Sequence, residues 1–290
     1  MANKVLGVIG GSGLYDIEGL EEAQWIDVES PWGTPSDAVL SGVFGDTRVF
    51  FLPRHGRGHI HSPTSINFRA NIDALKRCGV TDILSLSAVG SLKEDLAPGH
   101  FVLVDQFIDR TFAREKSFFG EGFVAHVPMA HPTSPFLADI AEAGLKAQDT
   151  PYQRGGTYVV MEGPQFSTLA ESNLYRSWGA DVIGMTNMPE AKLAREAEIR
   201  YATVAMVTDY DCWHKDHDSV DVDMIVKTLL ANADKAKALT KFVLENINAW
   251  SEEPTCGTDT VLDTALITHP DKRDPAMAAK LEATIRRVSG

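Results

Sequence analysis

A chain of 290 residues, 44% apolar and 23% charged, is long enough for one large core or two small ones and has ordinary globular composition. Its 27 basic residues against 40 acidic ones leave a formal charge of −13, which argues against nucleic acid or an anionic membrane surface as the main partner, so any anionic substrate has to be gripped locally. The cysteines, Cys78, Cys212 and Cys256, are odd in number and widely spaced; they fit reduced thiols rather than a disulfide framework and form no metal-like cluster.

The first apolar run, Val5 to Ile9, is interrupted by Gly7 and is too short for a signal segment or a membrane span, so a soluble cytoplasmic protein is expected. It reads as a strand entering the turn Gly10-Gly11-Ser12-Gly13, whose N–H groups and Ser12 hydroxyl suit a phosphate oxygen. A dinucleotide fingerprint is not satisfied, because Asp16 stands where the third glycine belongs. A second strand, Val49 to Leu52, runs into Arg54-His55-Gly56-Arg57-Gly58-His59: arginine supplies a planar fork for oxyanions, histidine a further donor, and the glycines room. The bland alternative is a basic surface loop, which seldom combines two glycines and two histidines at a strand end.

A helical pattern through Ile66, Ala70, Ala74, Leu75 and Cys78 stops at Gly79, where a helix needs positive φ. The strand Ile83 to Ser87 continues into Ala88-Val89-Gly90, and the Ser87 hydroxyl with the Ala88 N–H completes an anion cup. Phe101 to Val104, Tyr158 to Met161 and Val182 to Met185 read as further strands, and Phe166 to Trp178, before Gly179, as a helix. The aromatic loop Phe112 to His126 is a candidate for contact with a neighbouring subunit. In Gly184-Met185-Thr186 a hydroxyl adjoins a flexible thioether suited to a sugar face; alone, Met185 would read as core.

Tyr201 to Val207 is a buried strand, and Thr208-Asp209-Tyr210-Asp211 follows at its carboxyl end, where open α/β sheets build their sites. Alternate side chains of extended backbone share a face, so Asp209 and Asp211 offer one ligand two acceptors, or one proton to a nitrogen base. Next come a long amphipathic helix with Ser219 as N-cap and a stripe from Val222 to Ile247, a polar linker Ser251 to Gly257, and a last helix from Pro275 with Met277, Leu281, Ile285 and Val288 on one side. Strands alternating with helices make this an α/β protein, a single domain with a central mixed β-sheet flanked by helices over residues 1–250, followed by a linker and C-terminal helical extension over 251–290. A lone C-terminal helix has no core of its own and must dock on this domain or on a neighbour.

Taken jointly, Gly10-Gly11-Ser12-Gly13, Arg54-His55-Gly56, Ser87-Ala88-Val89-Gly90, Glu162-Gly163-Pro164-Gln165-Phe166-Ser167, Gly184-Met185-Thr186 and Thr208-Asp209-Tyr210-Asp211-Cys212-Trp213 resemble one family, the trimeric purine nucleoside phosphorylases and within them the methylthioadenosine phosphorylase branch, over about Lys4 to Trp250. The resemblance implies a purine nucleoside phosphorylase-like fold and phosphorolysis of 5′-methylthioadenosine to adenine and 5-methylthioribose 1-phosphate. It implies a homotrimer with neither metal nor organic cofactor, inorganic phosphate being a co-substrate. Phosphate would bind at Ser12, Arg54, His55, Ser87, Ala88 and Thr186. Met185 would pack on the ribose, Phe166 stack near the base, and Asp209 and Asp211 face N7 and the 6-amino group, with Tyr210 between them in the base-binding turn. Ser167 and Val222 match positions that set specificity, and His126 would come from the adjacent subunit. Gln165 replaces the family's usual arginine, and Ser12 and Ser87 stand where relatives often carry threonine.

A carboxylate suits the amino donor of adenine and repels the 6-carbonyl of hypoxanthine or guanine, so the aspartate pair favours a 6-aminopurine. The alternatives are a 6-oxopurine nucleoside or methylthioinosine phosphorylase, separated by comparing inosine with methylthioadenosine; a nucleosidase, which would release adenine without phosphate; and a non-catalytic or dinucleotide-dependent binder.

Overall fold

The structure is a computed structural model that describes residues 4–11, 13–214, 222–250 and 257–289. Among the described residues eleven strands form one sheet: β1 Val5–Gly10, β2 Glu21–Ile26, β3 Val39–Phe44, β4 Thr47–Pro53, β5 Asp82–Ser91, β6 Phe101–Val104, β7 Gln106–Asp109, β8 Tyr152–Arg154, β9 Thr157–Val160, β10 Val182–Gly184 and β11 Arg200–Asp209. The helices are α1 Phe68–Arg77, α2 Pro135–Ala147, α3 Leu169–Ser177, α4 Asn187–Glu196, α5 Val222–Asn246, and the short α6 Leu262–Ala265, α7 Pro275–Lys280 and α8 Glu282–Ile285.

The sheet is mixed, as expected. β4, β1, β5 and β11 run parallel, so their carboxyl ends open on one edge, while β3, β6 and β10 pair antiparallel with β4, β11 and β5. β5 branches the sheet: Asp82 to Ser85 pairs with β1, and beyond that strand's end Gly90 and Ser91 pair with β10. Side chains of β11 alternate between two cores. Tyr201, Ala205 and Val207 pack with α1 and α4, whereas Ala202, Val204 and Met206 pack with α2 and α5. A strand buried on both faces reads as a continuous apolar run, which is why this one was visible in the sequence.

Two helices and four strands carried weaker signals. β2 is Glu-Glu-Ala-Gln-Trp-Ile, a mostly exposed edge strand paired only to β3 in the sheet order. α4 starts beside Pro189, a helix breaker at most positions, and Met188 there has non-helical backbone. Ser219, the expected N-cap of the long helix, most of the linker and Cys256 lie outside the described residues.

The described C-terminal residues do not form one lone helix. The chain turns through α6, α7, α8 and short 3₁₀ pieces, and Val261, Leu262, Leu281 and Ile285 enter the same core as α1 and α4. Arg287 ties this segment to Glu198 at 2.6 Å and to Asp263 at 2.6 Å. Backbone bonds then fasten it to the aromatic loop, Ile267 N–H to the Val124 carbonyl and Asp274 N–H to that of Gly122, each at 2.9 Å. Phe118, Phe119 and Phe123 of that loop cover the protein's own core, while Phe112 and His126 stay exposed. Among the described residues no helix is long and apolar enough to cross a membrane.

Candidate functional site

The carboxyl ends of β4, β5, β10 and β11 surround a cavity of about 240 Å³ lined by His55, His59, Ala88, Met161, Phe166, Met185, Thr186, Asp209 and Asp211, among others. A larger hollow of about 770 Å³ elsewhere is bordered by Asp27, Glu29 and Asp37. Those carboxylates would repel an anion, so the smaller cavity is the one whose chemistry fits.

Both aspartates face the cavity, though the route differs from simple strand alternation. Asp209 is the last residue of β11, opposite Gly90 across a β-bulge. Asp211 lies past the strand with φ of 54°, in the left-handed region that aspartate tolerates, and its N–H donates to Asp209 Oδ1 at 2.8 Å. The turn therefore folds the second carboxylate back beside the first. A Cβ at Gly90 would approach Asp209 Oδ1 to 3.0 Å, so glycine leaves room for this carboxylate.

Burial raises the pKa of Asp209, against the Thr208 hydroxyl and the Asp211 N–H that steady its charge. Burial likewise pushes Asp211 up to about 6, and the charge of Asp209 adds to the shift. A carboxyl whose folded pKa is raised contributes stability below its unfolded value, and that contribution is lost as pH rises through the folded one. The unfolding midpoint in urea should accordingly decline between the ordinary 3.8 of Asp211 and about 6, and Asp211→Asn should flatten that slope. An unaltered slope would place the titration elsewhere.

His55 lines the cavity and stacks on His59 with ring centroids 4.2 Å apart. Its Nδ1 lies 2.9 Å from the His61 carbonyl, which can only accept, so Nδ1 carries the proton. Burial lowers its pKa to about 4. The neutral ring then presents Nε2 as a lone pair, which corrects the expectation of a second donor.

Arg54 is placed differently from its sequence reading. It is 2% exposed and sits behind the cavity wall rather than in it. Nε donates to Glu190 Oε2 at 2.8 Å and Nη2 to Glu190 Oε1 at 3.1 Å, while Nη1 reaches the Leu86 carbonyl at 3.0 Å and Nη2 also the Ser85 hydroxyl at 2.7 Å. Its fork is matched to a protein carboxylate, and its charge is balanced there.

The remaining expected residues divide. Ser87 is buried and does not itself line the cavity; its hydroxyl donates to Asn187 Oδ1 at 3.1 Å. Ser167 borders a neighbouring hollow with Gln165, which is exposed. Tyr210 turns away from the cavity, its hydroxyl donating to the Glu94 carbonyl at 3.2 Å. His126, on the aromatic loop, is exposed and does not line the cavity of its own chain. Ser12 lies outside the described residues, and so does the side chain of Val222, the first residue of α5.

The Glu162-Gly163-Pro164-Gln165 loop is held from inside. Burial opposes the charge of Glu162, but the Thr64 hydroxyl, the N–H groups of Phe112 and Ala113 and the Arg114 guanidinium outweigh it and hold the carboxyl near 2. Arg114 also donates to the carbonyls of Met185 and Met188, each at 2.7 Å, so one buried ion pair fixes the backbone of the Met185 wall. A Cβ at Gly184 would collide with the Tyr158 hydroxyl, which accounts for the glycine before that wall. Arg114, Asn187 and Glu190 do not stand out in the sequence; the readable signal is the polar pair Asn187 and Glu190 around Pro189, directly after Gly-Met-Thr.

Residues 5–245 match the family model described as the phosphorylase superfamily. The chain belongs to that superfamily. This phosphorylase-superfamily chain is 64% identical over 286 residues to the S-methyl-5′-thioadenosine phosphorylase of Rhodospirillum rubrum, covering 99% of this chain and 97% of that protein. It is 59% identical over 288 residues to that of Bradyrhizobium diazoefficiens, with 99% of each chain covered. Among solved structures it is similar to a methylthioadenosine phosphorylase from an Antarctic soil metagenomic library, with a TM-score of 0.91 and 44% identity over 98% of this chain and 99% of that one. It also superposes on the methylthioadenosine phosphorylase of Schistosoma mansoni in complex with adenine, with a TM-score of 0.80 and 33% identity over 98% of this chain and 99% of that one. Among the described residues no group of three or more His, Cys, Asp or Glu side chains is arranged to hold a metal ion.

Proposed function

We infer that the protein is a pentosyltransferase that cleaves 5′-methylthioadenosine with inorganic phosphate, giving adenine and 5-methylthioribose 1-phosphate, a step of methylthioadenosine and purine salvage. The observation that carries this reading is the convergence of Asp209 and Asp211 with Met185, Phe166, Thr186 and His55 on one cavity. The names of its relatives support the same substrate.

Breaking an N-glycosidic bond develops positive charge on the sugar and negative charge on the departing purine, and the site has to meet both. Phosphate bound near His55, Ser87, Ala88 and Thr186 would lie below C1′, stabilise the oxocarbenium-like carbon and then attack it. Asp209, raised by burial, is suited to deliver a proton or a strong hydrogen bond to N7. Asp211 would face the 6-amino group and orient its partner. Met185 would lie on the ribose and Phe166 against the base. Ser12 completes the phosphate turn in this reading, Arg54 supports it from behind, Tyr210 braces the base-binding turn, and Ser167 and Val222 tune the 5′ end. His126 would act across a subunit boundary of a cytoplasmic homotrimer without metal or organic cofactor.

Incubation with methylthioadenosine should release adenine and 5-methylthioribose 1-phosphate only when phosphate is supplied. Free methylthioribose formed in phosphate-free buffer would identify a hydrolase instead, and faster cleavage of inosine or methylthioinosine would shift the substrate to 6-oxopurines.

A further inference from the structure

Behind the cup lies a chain of buried hydrogen bonds whose direction is fixed from one end. Glu190, paired with Arg54, is an acceptor-only carboxylate. Its Oε1 accepts from the hydroxyls of Ser85 and Tyr201, each at 2.8 Å, so each of those groups has spent its single hydrogen. The Thr203 hydroxyl spends its own on the Ser85 carbonyl at 3.2 Å. The oxygens of Ser85, Tyr201 and Thr203 can then only accept from Asn187, and all three lie within hydrogen-bond reach of Nδ2, Tyr201 at 2.7 Å and Ser85 at 3.3 Å.

That orientation settles which end of the Asn187 amide faces the cavity. Oδ1 must point the other way, where Ser87 Oγ at 3.1 Å and Thr186 Oγ1 at 3.3 Å donate to it. Both hydroxyls have thereby committed their hydrogen inward, and Thr186, which lines the cavity, offers it lone pairs. His55 adds a third acceptor, since its proton is held at Nδ1 by the His61 carbonyl. Burial keeps that ring neutral down to about 4.

An oxyanion with no hydrogen would meet lone pair against lone pair at Thr186 and His55, whereas one carrying an O–H can donate it to one of them. We propose that Asn187, oriented by the Glu190–Arg54 pair, is a positioning residue that sets the Thr186 hydroxyl as an acceptor toward the cavity, so that the cup selects a protonated oxyanion, hydrogenphosphate or hydrogenarsenate, over sulfate. This deepens the reading of the cavity as a phosphate site and rests on it. An unpaired buried acceptor costs on the order of tenfold or more in affinity, the same physics by which polar pockets reject analogues that lack a hydrogen.

The test is calorimetric binding of phosphate, arsenate and sulfate to the full chain near neutral pH, alongside methylthioadenosine cleavage with each anion competing. Phosphate and arsenate should bind at least tenfold tighter than sulfate. Thr186→Val removes an acceptor that only the protonated anions use, so it should weaken phosphate by roughly tenfold, while sulfate, freed of an opposing lone pair, should bind no more weakly than before. Asn187→Thr, whose hydroxyl can donate or accept, should narrow the gap between the anions by a similar factor. Sulfate binding as tightly as phosphate in the wild type, or losing as much as phosphate in Thr186→Val, overturns the proposal even if turnover requires phosphate. Selective binding without phosphate-dependent turnover would instead refute the phosphorylase reading and leave this one standing, while failure of both phosphate and arsenate to bind would refute both.

Discussion

Asp209→Asn should slow adenine release from methylthioadenosine by about 10²- to 10⁴-fold, the usual contribution of a positioned general acid. The amide keeps the size of the carboxyl and can still accept the Asp211 N–H now bound at 2.8 Å, so the turn should survive. What it loses is the proton that burial favours on the native carboxyl. At Asp211, which in this reading faces the 6-substituent, an amide would instead offer N–H donors to a 6-carbonyl, so Asp211→Asn should raise cleavage of methylthioinosine relative to methylthioadenosine. Single-turnover release of the base by Asp209→Asn, compared with the urea midpoint of the same variant, separates chemistry from folding. A rate within tenfold of wild type at an unchanged midpoint would remove Asp209 from the proton path.

How much of this was legible in the sequence follows from where each signal comes from. Val5–Gly10, Asp82–Ser91 and Arg200–Asp209 are buried on both faces, so their apolar runs announced strands. At the carboxyl ends of the last two, Ala88 to Gly90 and Thr208, Asp209 and Asp211 line the cavity for a local reason, chain geometry at the end of a parallel strand, whereas none of the described residues of the Gly10 to Gly13 turn does. Asp209 and Asp211 were singled out by spacing, yet the structure joins them through a left-handed turn that spacing does not encode. Arg54 was misread because residue type beside glycines describes a loop, whereas its partner Glu190 is 136 positions away. The same holds for Asn187, whose meaning depends on Ser85, Tyr201 and Thr203 arriving from two other strands. The C-terminal residues showed one apolar stripe, but docking against α1 and α4 broke it into short pieces.

Arg54→Met should destabilise the protein by about 3–5 kcal/mol, because it strands Glu190 as a buried carboxylate without its counter-charge. Both side chains are 2% exposed, so water cannot replace the missing partner. The loss should exceed any effect on phosphate affinity that survives at low temperature, where the variant is folded, since the guanidinium points into protein acceptors and its charge is already balanced. Removing the carboxylate as well, in Arg54→Met/Glu190→Met, takes away the stranded charge and should recover a substantial part of the stability despite two changes. Urea unfolding of the two single variants and the double one measures that coupling directly. Additive losses would mean that the pair is not the unit described, and an Arg54 variant with a native midpoint but a greatly raised phosphate requirement would return the arginine to the anion's own contacts.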